Sequence, residues 1–361
     1  MGVNSTARIA SLCLQLAEKG IEGVFISQTE NRCYLSGFDG SDGYLILTAK
    51  NAILATDFRY IEQSKQQAPD FEVFQITGKV EEWFPRITSQ LGIKNLGFES
   101  GQVTYAFHRQ LSTALEKAGS KLELVPIEGL VESLRIVKSP EEIEFIARAA
   151  DISDIAIADI KEKVRPGMTE LDVAWEIERF MRENGSQPIP FEVIAQSGPN
   201  SAMPHARPSE RRISEGEPIL IDIGAKVNGY ASDITRTFCI GTPDAMFKKI
   251  YDIVLGAQLA ALSLVKEGMT GEYADNLARI IISEAGYGDK FGHSLGHGVG
   301  LAVHESPRLG PNSTDVLKSG MVFSIEPGIY LPGWGGVRIE DLVTLEKGEI
   351  RVLSKAPKSA K

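Results

Sequence analysis

Cysteine and histidine are scarce in this chain of 361 residues. The three cysteines, Cys13, Cys33 and Cys239, are odd in number and far apart. They indicate no disulfide framework, and a reducing cytoplasm is the expected location. Four of the five histidines fall in the second half of the chain: His205, His293, His297 and His304. A scarce residue type that clusters in this way points to a site that uses imidazole chemistry.

Long apolar runs and basic clusters are also missing. No apolar run approaches the roughly 18 residues needed to cross a bilayer, and the start lacks the basic and apolar regions of a signal peptide. Met1–Thr6 fits the short myristoylation pattern, but Ser5 and Thr6 are better explained as caps of the following helix. The formal net charge is −10. We therefore expect neither nucleic acid nor a membrane as partner.

Four carboxylates and one histidine lie in four short motifs of the second half of the chain. Carboxylates bind hard divalent cations and can bridge two of them, while a neutral imidazole adds affinity for a transition metal. The motifs are IDIGAKVNGYASDITRTF (Ile221–Phe238), GHSLGHGVGLAVHE (Gly292–Glu305), SIEPGIY (Ser324–Tyr330) and VRIED (Val337–Asp341). The residues are Asp222, Asp233, His297, Glu326 and Glu340. This set predicts a site for two adjacent divalent cations.

The spacing of the two aspartates fits one β-hairpin. Asn228-Gly229 predicts a two-residue type I′ turn. With that turn, Asp222 faces Thr235, and Asp233 becomes a diagonal neighbour of Asp222, with Cα atoms roughly 7–8 Å apart. Side chains at that spacing can converge on cations about 3.5–4 Å apart. The predicted strands are Pro218–Ala225 and Tyr230–Ile240. A bulge would change the register, and two surface aspartates beside a turn are the alternative interpretation.

The two glutamates repeat this arrangement. Val322–Glu326 is strand-like, Leu331–Gly336 is predicted to be a loop, and Val337–Leu345 alternates so that Arg338 and Glu340 share one face. An arginine two residues from a metal-binding carboxylate suits either a clamp on a ligand or an anchor for a substrate carboxylate. An ordinary ion pair is the alternative.

Glycines surround His293 and His297, and they permit close approach of the backbone to a site. One histidine is enough as a metal ligand. His293 and His304 are therefore predicted to donate hydrogen bonds to a substrate or to a developing oxyanion. A structural role is the alternative.

An internal repeat relates the two halves of this region. Val164–Thr169 (VRPGMT) recurs as Val265–Thr270 (VKEGMT), a shift of 101 residues that Gly185 and Gly286 share. Each half is predicted to run helix, turn, helix and then a hairpin with two acids. The four carboxylates would then flank one site, although the same turn sequence used twice as helix punctuation is the alternative.

A chain of this length accommodates about two domains. Residues 1–131 alternate helix-like and strand-like segments and contain no ligand set, which predicts an α/β domain. Residues 132–361 begin with Ser139, Pro140 and Glu142, a capping box before a helix that continues to about Val164. In the first domain the predicted strands are Gly23–Ser27, Tyr44–Thr48, Asn51–Thr56, Phe71–Ile76, Asn95–Glu99 and Lys121–Ile127, and the predicted helices are Thr6–Lys19, Val80–Leu91 and Thr104–Ala118.

Together these motifs resemble the metallopeptidases of the pita-bread fold, the group that contains methionine aminopeptidase, aminopeptidase P and prolidase. The resemblance extends over nearly the whole chain and rests on the order Asp, Asp, His, Glu, Glu. It implies an α+β pita-bread catalytic domain with a pseudo-twofold internal repeat, preceded by a smaller α/β creatinase-type N-terminal domain. It further implies that Asp222 chelates one metal, that His297 and Glu326 chelate the other, and that Asp233 and Glu340 bridge the two. Manganese is the metal expected, with cobalt, zinc or iron as substitutes.

Other segments bear on the branch of the family. Asn31–Thr48 and Thr56–Gln63 resemble the aminopeptidase P branch, although Asp57 and Arg59 within the second are interpreted as a local ion pair. Phe191–Glu210 resembles an approach loop in which His205 is expected to contact the substrate. His205, His304 and Arg338 together resemble the proline-specific branch.

The resemblance implies release of the N-terminal residue from peptides with proline at the second position, as in aminopeptidase P. An Xaa-Pro dipeptidase (prolidase) is the alternative, and a non-enzymatic binding scaffold is a more distant one. Attack by a metal-bridging hydroxide on the carbonyl before proline is expected. Glu326 would accept the proton, and His304 or His293 would stabilise the oxyanion. A homodimer is implied, in which the N-terminal domain closes the site of a neighbouring subunit.

Overall fold

The computed structural model describes residues 5–360. The chain divides into two compact units, Met1–Arg135 and Ile136–Lys361. The predicted boundary was Val131, but the helix Leu130–Arg135 belongs to the first unit because it packs on the first helix, Ser5–Glu18. The start of the myristoylation pattern lies outside the described residues. Within residues 5–360, every helix is too short or too polar to cross a bilayer.

The described part of the first unit is a mixed six-stranded sheet with helices, as predicted. Its helices are α1 (Ser5–Glu18), α2 (Thr29–Ser36), α3 (Ile61–Gln67), α4 (Val80–Thr88), α5 (Tyr105–Lys117) and α6 (Leu130–Arg135). Its strands are β1 (Gly23–Ile26), β2 (Tyr44–Thr48), β3 (Ala52–Thr56), β4 (Glu72–Gln75), β5 (Asn95–Glu99) and β6 (Glu123–Ile127). The strand order is β4-β3-β2-β1-β5-β6, in which β3/β4, β1/β5 and β5/β6 are parallel.

Sequence patterns located the six strands but missed α2, α3 and α6. The signal for α2 is weak because its N-cap, Gln28, makes no side-chain capping bond. The local ion pair favoured for Asp57 and Arg59 is present, with Arg59 Nη2 at 2.6 Å from Asp57 Oδ2 on the exposed surface.

The second unit is a pair of helix–helix–sheet layers. Its helices are α7 (Pro140–Lys163), α8 (Glu170–Glu183), α9 (Ala245–Leu264) and α10 (Gly271–Glu284). Its strands are β7 (Ile194–Ser197), β8 (Pro218–Ile223), β9 (Lys226–Val227), β10 (Tyr230–Ala231), β11 (Ile234–Cys239), β12 (Gly296–Gly298), β13 (Glu305–Leu309), β14 (Val322–Ile325), β15 (Gly328–Leu331), β16 (Gly335–Arg338), β17 (Asp341–Glu346) and β18 (Glu349–Val352). One sheet has the order β11-β8-β7 and the other β13-β12-β14-β17-β18, with two-stranded ribbons β9/β10 and β15/β16.

The capping box that opens α7 is formed as predicted. Ser139 Oγ accepts the amide of Glu142, and the Glu142 carboxylate accepts the amide of Ser139 at 2.7 Å. Each bond satisfies an amide that has no partner within the helix.

The internal repeat is reproduced in backbone conformation. Helix α10 begins and ends 101 residues after α8 begins and ends. The turn glycines before them, Gly167 and Gly268, have φ of 91° and 86°, and the N-caps Thr169 and Thr270 are both extended. Equivalent conformations at equivalent positions favour an internal duplication over chance use of the same turn sequence before two helices.

The aspartate hairpin has the predicted register. Asn228 and Gly229 both have positive φ, 51° and 85°, as a type I′ turn requires. Thr235 is the strand partner of Asp222, so Asp233 is its diagonal neighbour without a net bulge.

The glutamate segment differs from the expectation of one strand over Val337–Leu345. The strand breaks at Glu340, because β16 pairs with β15 whereas β17 pairs with β14. Glu340 instead donates its amide to the carbonyl of Thr235 at 3.1 Å, in the aspartate hairpin. The expected loop before it is largely the turn of the β15/β16 ribbon.

We expect Gly167→Ala and Gly268→Ala each to lower the free energy of unfolding by about 1 kcal/mol, because both require positive φ. A Cβ at either position would meet no atom within 4 Å, so only the backbone strain of positive φ acts. The two variants should therefore lose similar free energies of unfolding. Urea unfolding of the whole chain measures this. Gly256→Ala, in the exposed middle of α9, is the control and should stabilise by about 0.5–1 kcal/mol. Unequal losses at the two turns would contradict their equivalence.

Candidate metal centre

The five predicted ligands converge on one cavity of about 430 Å³. Ligand atoms of Asp233, His297 and Glu340 lie within 4.8 Å of one another, and His297 Nε2 is 3.3 Å from Glu326 Oε1. Asp222 completes the group from the strand beside Asp233. The structure thus brings together side chains that are far apart in sequence, and their roles as metal ligands stay predictions.

Each ligand sits at or beside a strand end, where the backbone is anchored. His297 lies on β12, and Glu326 follows β14 with its amide donated to Leu295 O at 2.8 Å. Glu340 stands at the break between β16 and β17. Such positions hold the carboxylates at fixed points although their charges repel.

Burial and crowding make the carboxylates reluctant to ionise together. Burial first, and then neighbouring carboxylates beginning with Glu340, raises the pKa of Asp233 well above its usual range. Burial, followed by Glu326 and Asp222, does the same to the pKa of Glu340. This is the behaviour of acids arranged for a positive charge.

Glu326 and His297 form a pair of the opposite kind. Burial alone would raise the pKa of Glu326, but the hydrogen bond and charge of His297 lower it to about 2. Burial would likewise lower the pKa of His297, and Glu326 raises it to about 9. Without cations the imidazole is thus protonated, and a metal ion would replace that proton.

Two buried carboxylate oxygens, Asp222 Oδ1 and Glu340 Oε1, have no hydrogen-bond partner within the described chain. Buried anionic oxygens normally have partners, so these two are oriented for a group from outside the chain. Among residues 5–360, Arg338 is the only arginine or lysine that forms an ion pair with any of the four carboxylates. The donor set therefore fits divalent cations.

Neighbouring side chains orient the ligands. Thr235 Oγ1 donates to Glu340 Oε2 at 2.7 Å, and Ser324 Oγ donates to Glu326 Oε1 at 3.1 Å. Arg338 donates to Asp222 Oδ2 at 2.5 Å, to Thr235 and to Tyr330. Because its nitrogens are engaged in the buried interior, the geometry favours the clamp over the substrate anchor for Arg338.

The histidines differ in whether their ring nitrogens already form hydrogen bonds within the protein. Arg338 donates to Tyr330 Oη, so the tyrosine hydroxyl donates to His293 Nε2 at 2.9 Å, and His293 Nδ1 donates to Ser294 O at 2.8 Å. Both nitrogens of His293 are occupied, which disfavours its expected role as a donor to substrate. His304 packs against His297 with ring centroids 4.3 Å apart. Its ring and that of His205 make no hydrogen bond within residues 5–360, and both line the cavity.

Sequence reasoning missed Arg308 and Tyr330, which also shape the site. Arg308 is the strand partner of His297 and lines the cavity. It donates to Ser294 Oγ and Pro311 O, each at 3.2 Å. The alternation of the polar residues Ser306 and Arg308 with Pro307 and Leu309, which are buried in the strand, was the signal that could have identified it.

Comparisons with known proteins place both units. Residues 144–347 match the family described as Metallopeptidase family M24, and residues 8–137 match the Creatinase/Prolidase N-terminal domain. An Xaa-Pro dipeptidase structure from Bacillus anthracis is 41% identical with a TM-score of 0.94, covering 98% of this chain and 99% of that one. An X-Pro aminopeptidase structure from Thermotoga maritima is 37% identical with a TM-score of 0.90, covering 97% and 98%. An Xaa-Pro dipeptidase from Pyrococcus horikoshii is 40% identical over 340 residues, 94% of each chain.

We expect Asp233→Asn to lose at least one of two divalent cations, because an amide supplies no negative charge to share between them. Metal analysis by mass spectrometry measures this. In metal-free protein the same change relieves repulsion and should raise the melting temperature, by roughly 2–4 °C per kcal/mol relieved. Asp151→Asn, at an exposed position on α7, is the control and should change neither quantity. Retention of two cations would contradict the assignment.

Proposed function

The chain belongs to metallopeptidase family M24, and from that premise we propose that it is a dinuclear Xaa-Pro dipeptidase, or prolidase. It is a hydrolase of the Xaa-Pro peptidase group. The sequence favoured aminopeptidase P with prolidase as the alternative. The relatives' names do not support aminopeptidase P over prolidase, since the B. anthracis and P. horikoshii proteins are both called Xaa-Pro dipeptidases.

The position of Arg308 is the observation that favours dipeptides over longer peptides as substrates. Strand partners have Cα atoms about 4.5–5.5 Å apart, so Arg308 stands beside His297, about one residue from the metal ligands. A dipeptide carries its carboxylate one residue beyond the bond to be cut. Of the other cavity arginines, Arg338 is engaged with Asp222 and Arg207 is paired with Glu192 at 2.9 Å. Arg308 pairs with no carboxylate within residues 5–360.

Different residues of the cavity take different roles in the proposed hydrolysis. When bound, two divalent cations supply Lewis-acid chemistry and lower the pKa of water. Glu326, which Ser324 orients, accepts the proton of the attacking water. His304 donates a hydrogen bond to the carbonyl oxygen before proline as that oxygen gains charge. His205 contacts the substrate, and the ligand carboxylates attract its free amine, so cleavage is limited to the first bond.

Three finer features belong to the same proposal. Manganese suits a set of four carboxylates and one imidazole, with cobalt, zinc or iron as substitutes. The three cysteines Cys13, Cys33 and Cys239, odd in number and far apart in sequence, support a cytoplasmic location. A homodimer rests on the family resemblance alone, and light scattering of the purified protein would test it.

We expect Arg308→Ala to lower kcat/KM for Gly-Pro by about 10–100-fold, the loss of one charge-assisted hydrogen-bond pair. Hydrolysis of the amide Gly-Pro-NH₂ should change little, because that substrate lacks the carboxylate. Arg207→Ala is the matched control, since its partner is Glu192. Release of glycine with saturating Mn²⁺ measures each rate.

Substrate length decides between the two branches. A dipeptidase cleaves Gly-Pro and refuses Gly-Pro-Gly. If the tripeptide is cleaved at least as well and Arg308→Ala leaves Gly-Pro hydrolysis intact, the chain is an aminopeptidase P, as the Thermotoga maritima relative is named.

We expect His304→Ala to lower kcat by on the order of 10²–10³ with the metal content unchanged. His205→Ala should act mainly on KM, because its exposed ring binds but does not stabilise developing charge. Turnover kinetics paired with metal analysis separate these outcomes. A fall in metal content parallel to activity would reassign either residue as a ligand.

A further inference from the structure

Residues 353–360, here called the strap, follow β18 without regular secondary structure but are held by buried charges. The amides of Lys355 and Ala356 donate to the two oxygens of Asp154 on α7, each at 2.7 Å. Ala356 O accepts from Arg236 Nη2 at 2.6 Å. Ala356 lies in the core formed by the first half of the unit, and Ala360 packs on the core of the second. The strap therefore spans both halves of the repeat.

The side chain of Lys358, in the strap, forms an ion pair with Asp341, the residue after Glu340. Its Nζ is 2.5 Å from Asp341 Oδ2, while Arg236 Nη2 is 2.8 Å from Asp341 Oδ1. Gln258 also donates to Oδ2 at 2.9 Å. The Asp341 side chain is completely buried, and a buried charge needs its counter-charges in place. Lys358 and Arg236 share that task.

Arg236 joins this cluster to the metal centre. Its Nη1 donates to the backbone carbonyls of Thr235 and Glu340, and Thr235 also binds the Glu340 carboxylate. One guanidinium thus touches the strap, Asp341 and the backbone of a predicted ligand. The contacts are continuous from Lys358 to Glu340.

We propose that Lys358 is a positioning residue for Glu340 and that the strap thereby sets the affinity of the site for divalent cations. The inference rests on the proposed dinuclear site. Repulsion from the neighbouring acids pushes Glu340 out of the cluster, and Arg236 holds its backbone against that force. Without Lys358, Arg236 alone must balance Asp341, and its contact with the Glu340 carbonyl loosens.

The strap supplies its own matched control. Lys355 forms an ion pair with Asp151 in which both side chains are more than half exposed, at 69% and 51%, so it does not reach the cluster. Calorimetric titration of metal-free protein with Mn²⁺ compares Lys358→Met with Lys355→Met. We expect the first to weaken Mn²⁺ binding by about 10–100-fold and the second by less than about twofold. Lys358→Arg, which keeps the charge, should restore most of the affinity.

Melting curves with and without Mn²⁺ separate positioning from simple stabilisation. A positioning role predicts that Lys358→Met lowers the melting temperature more in the Mn²⁺-loaded protein than in the metal-free protein. Equal losses in both, with unchanged Mn²⁺ affinity, would overturn the inference. Asp154→Asn, which loosens the strap at its other anchor, is the second variant and should weaken Mn²⁺ binding in the same way. Failure of the wild-type chain to bind any of Mn²⁺, Co²⁺, Zn²⁺ and Fe²⁺ would overturn the proposed function itself, independently of any change at Lys358.

Discussion

Asp222, Asp233, Glu326 and Glu340 line one cavity, and Arg338 is the only arginine or lysine among residues 5–360 that forms an ion pair with any of them. Repulsion among them would scatter flexible side chains. The chain resists it by placing each acid at a strand end or hairpin. Hydroxyl groups also fix two of the carboxylates, since Thr235 donates to Glu340 and Ser324 donates to Glu326. The site is left with an excess of negative charge and with carboxylate oxygens that have no hydrogen-bond donor. Divalent cations would neutralise that charge and bind those oxygens.

Duplication explains how such a set is assembled. Each half contributes two helices and a hairpin with two acids, so neither half alone holds enough charge for two cations. The halves meet where Glu340 leaves its own sheet and donates its amide to Thr235 of the aspartate hairpin. That departure breaks the strand, and the buried pair of Arg236 and Asp341 lies directly behind it. The contact between the two halves thus also positions a predicted metal ligand.

The residues around the ligands fall into two groups by their hydrogen bonds. Arg338, Tyr330 and His293 are bonded to one another and serve the architecture. His304, His205 and Arg308 face the cavity with donors still available for a peptide. A histidine's value to catalysis depends here on whether the protein already uses its nitrogens, which neither its residue type nor its spacing reveals.

Much of this protein follows from local sequence. The type I′ turn at Asn228-Gly229 and the alternation of the strands determine the register that pairs Asp222 with Thr235. The capping box at Ser139 and the repeated Gly-Met-Thr turns determine where the helices begin. These features depend on residues a few positions apart, so the order of acids and histidine sufficed to indicate the family and its metal chemistry.

Long-range packing decided the rest. The break at Glu340 required a backbone acceptor about a hundred residues earlier, and the occupation of His293 required Tyr330 and Arg338 in three dimensions. Arg308 became a candidate only when β12 and β13 paired and set it beside His297. Sequence periodicity specifies which face a side chain occupies. Only the folded chain specifies which distant groups reach that face and which hydrogen bonds they leave free.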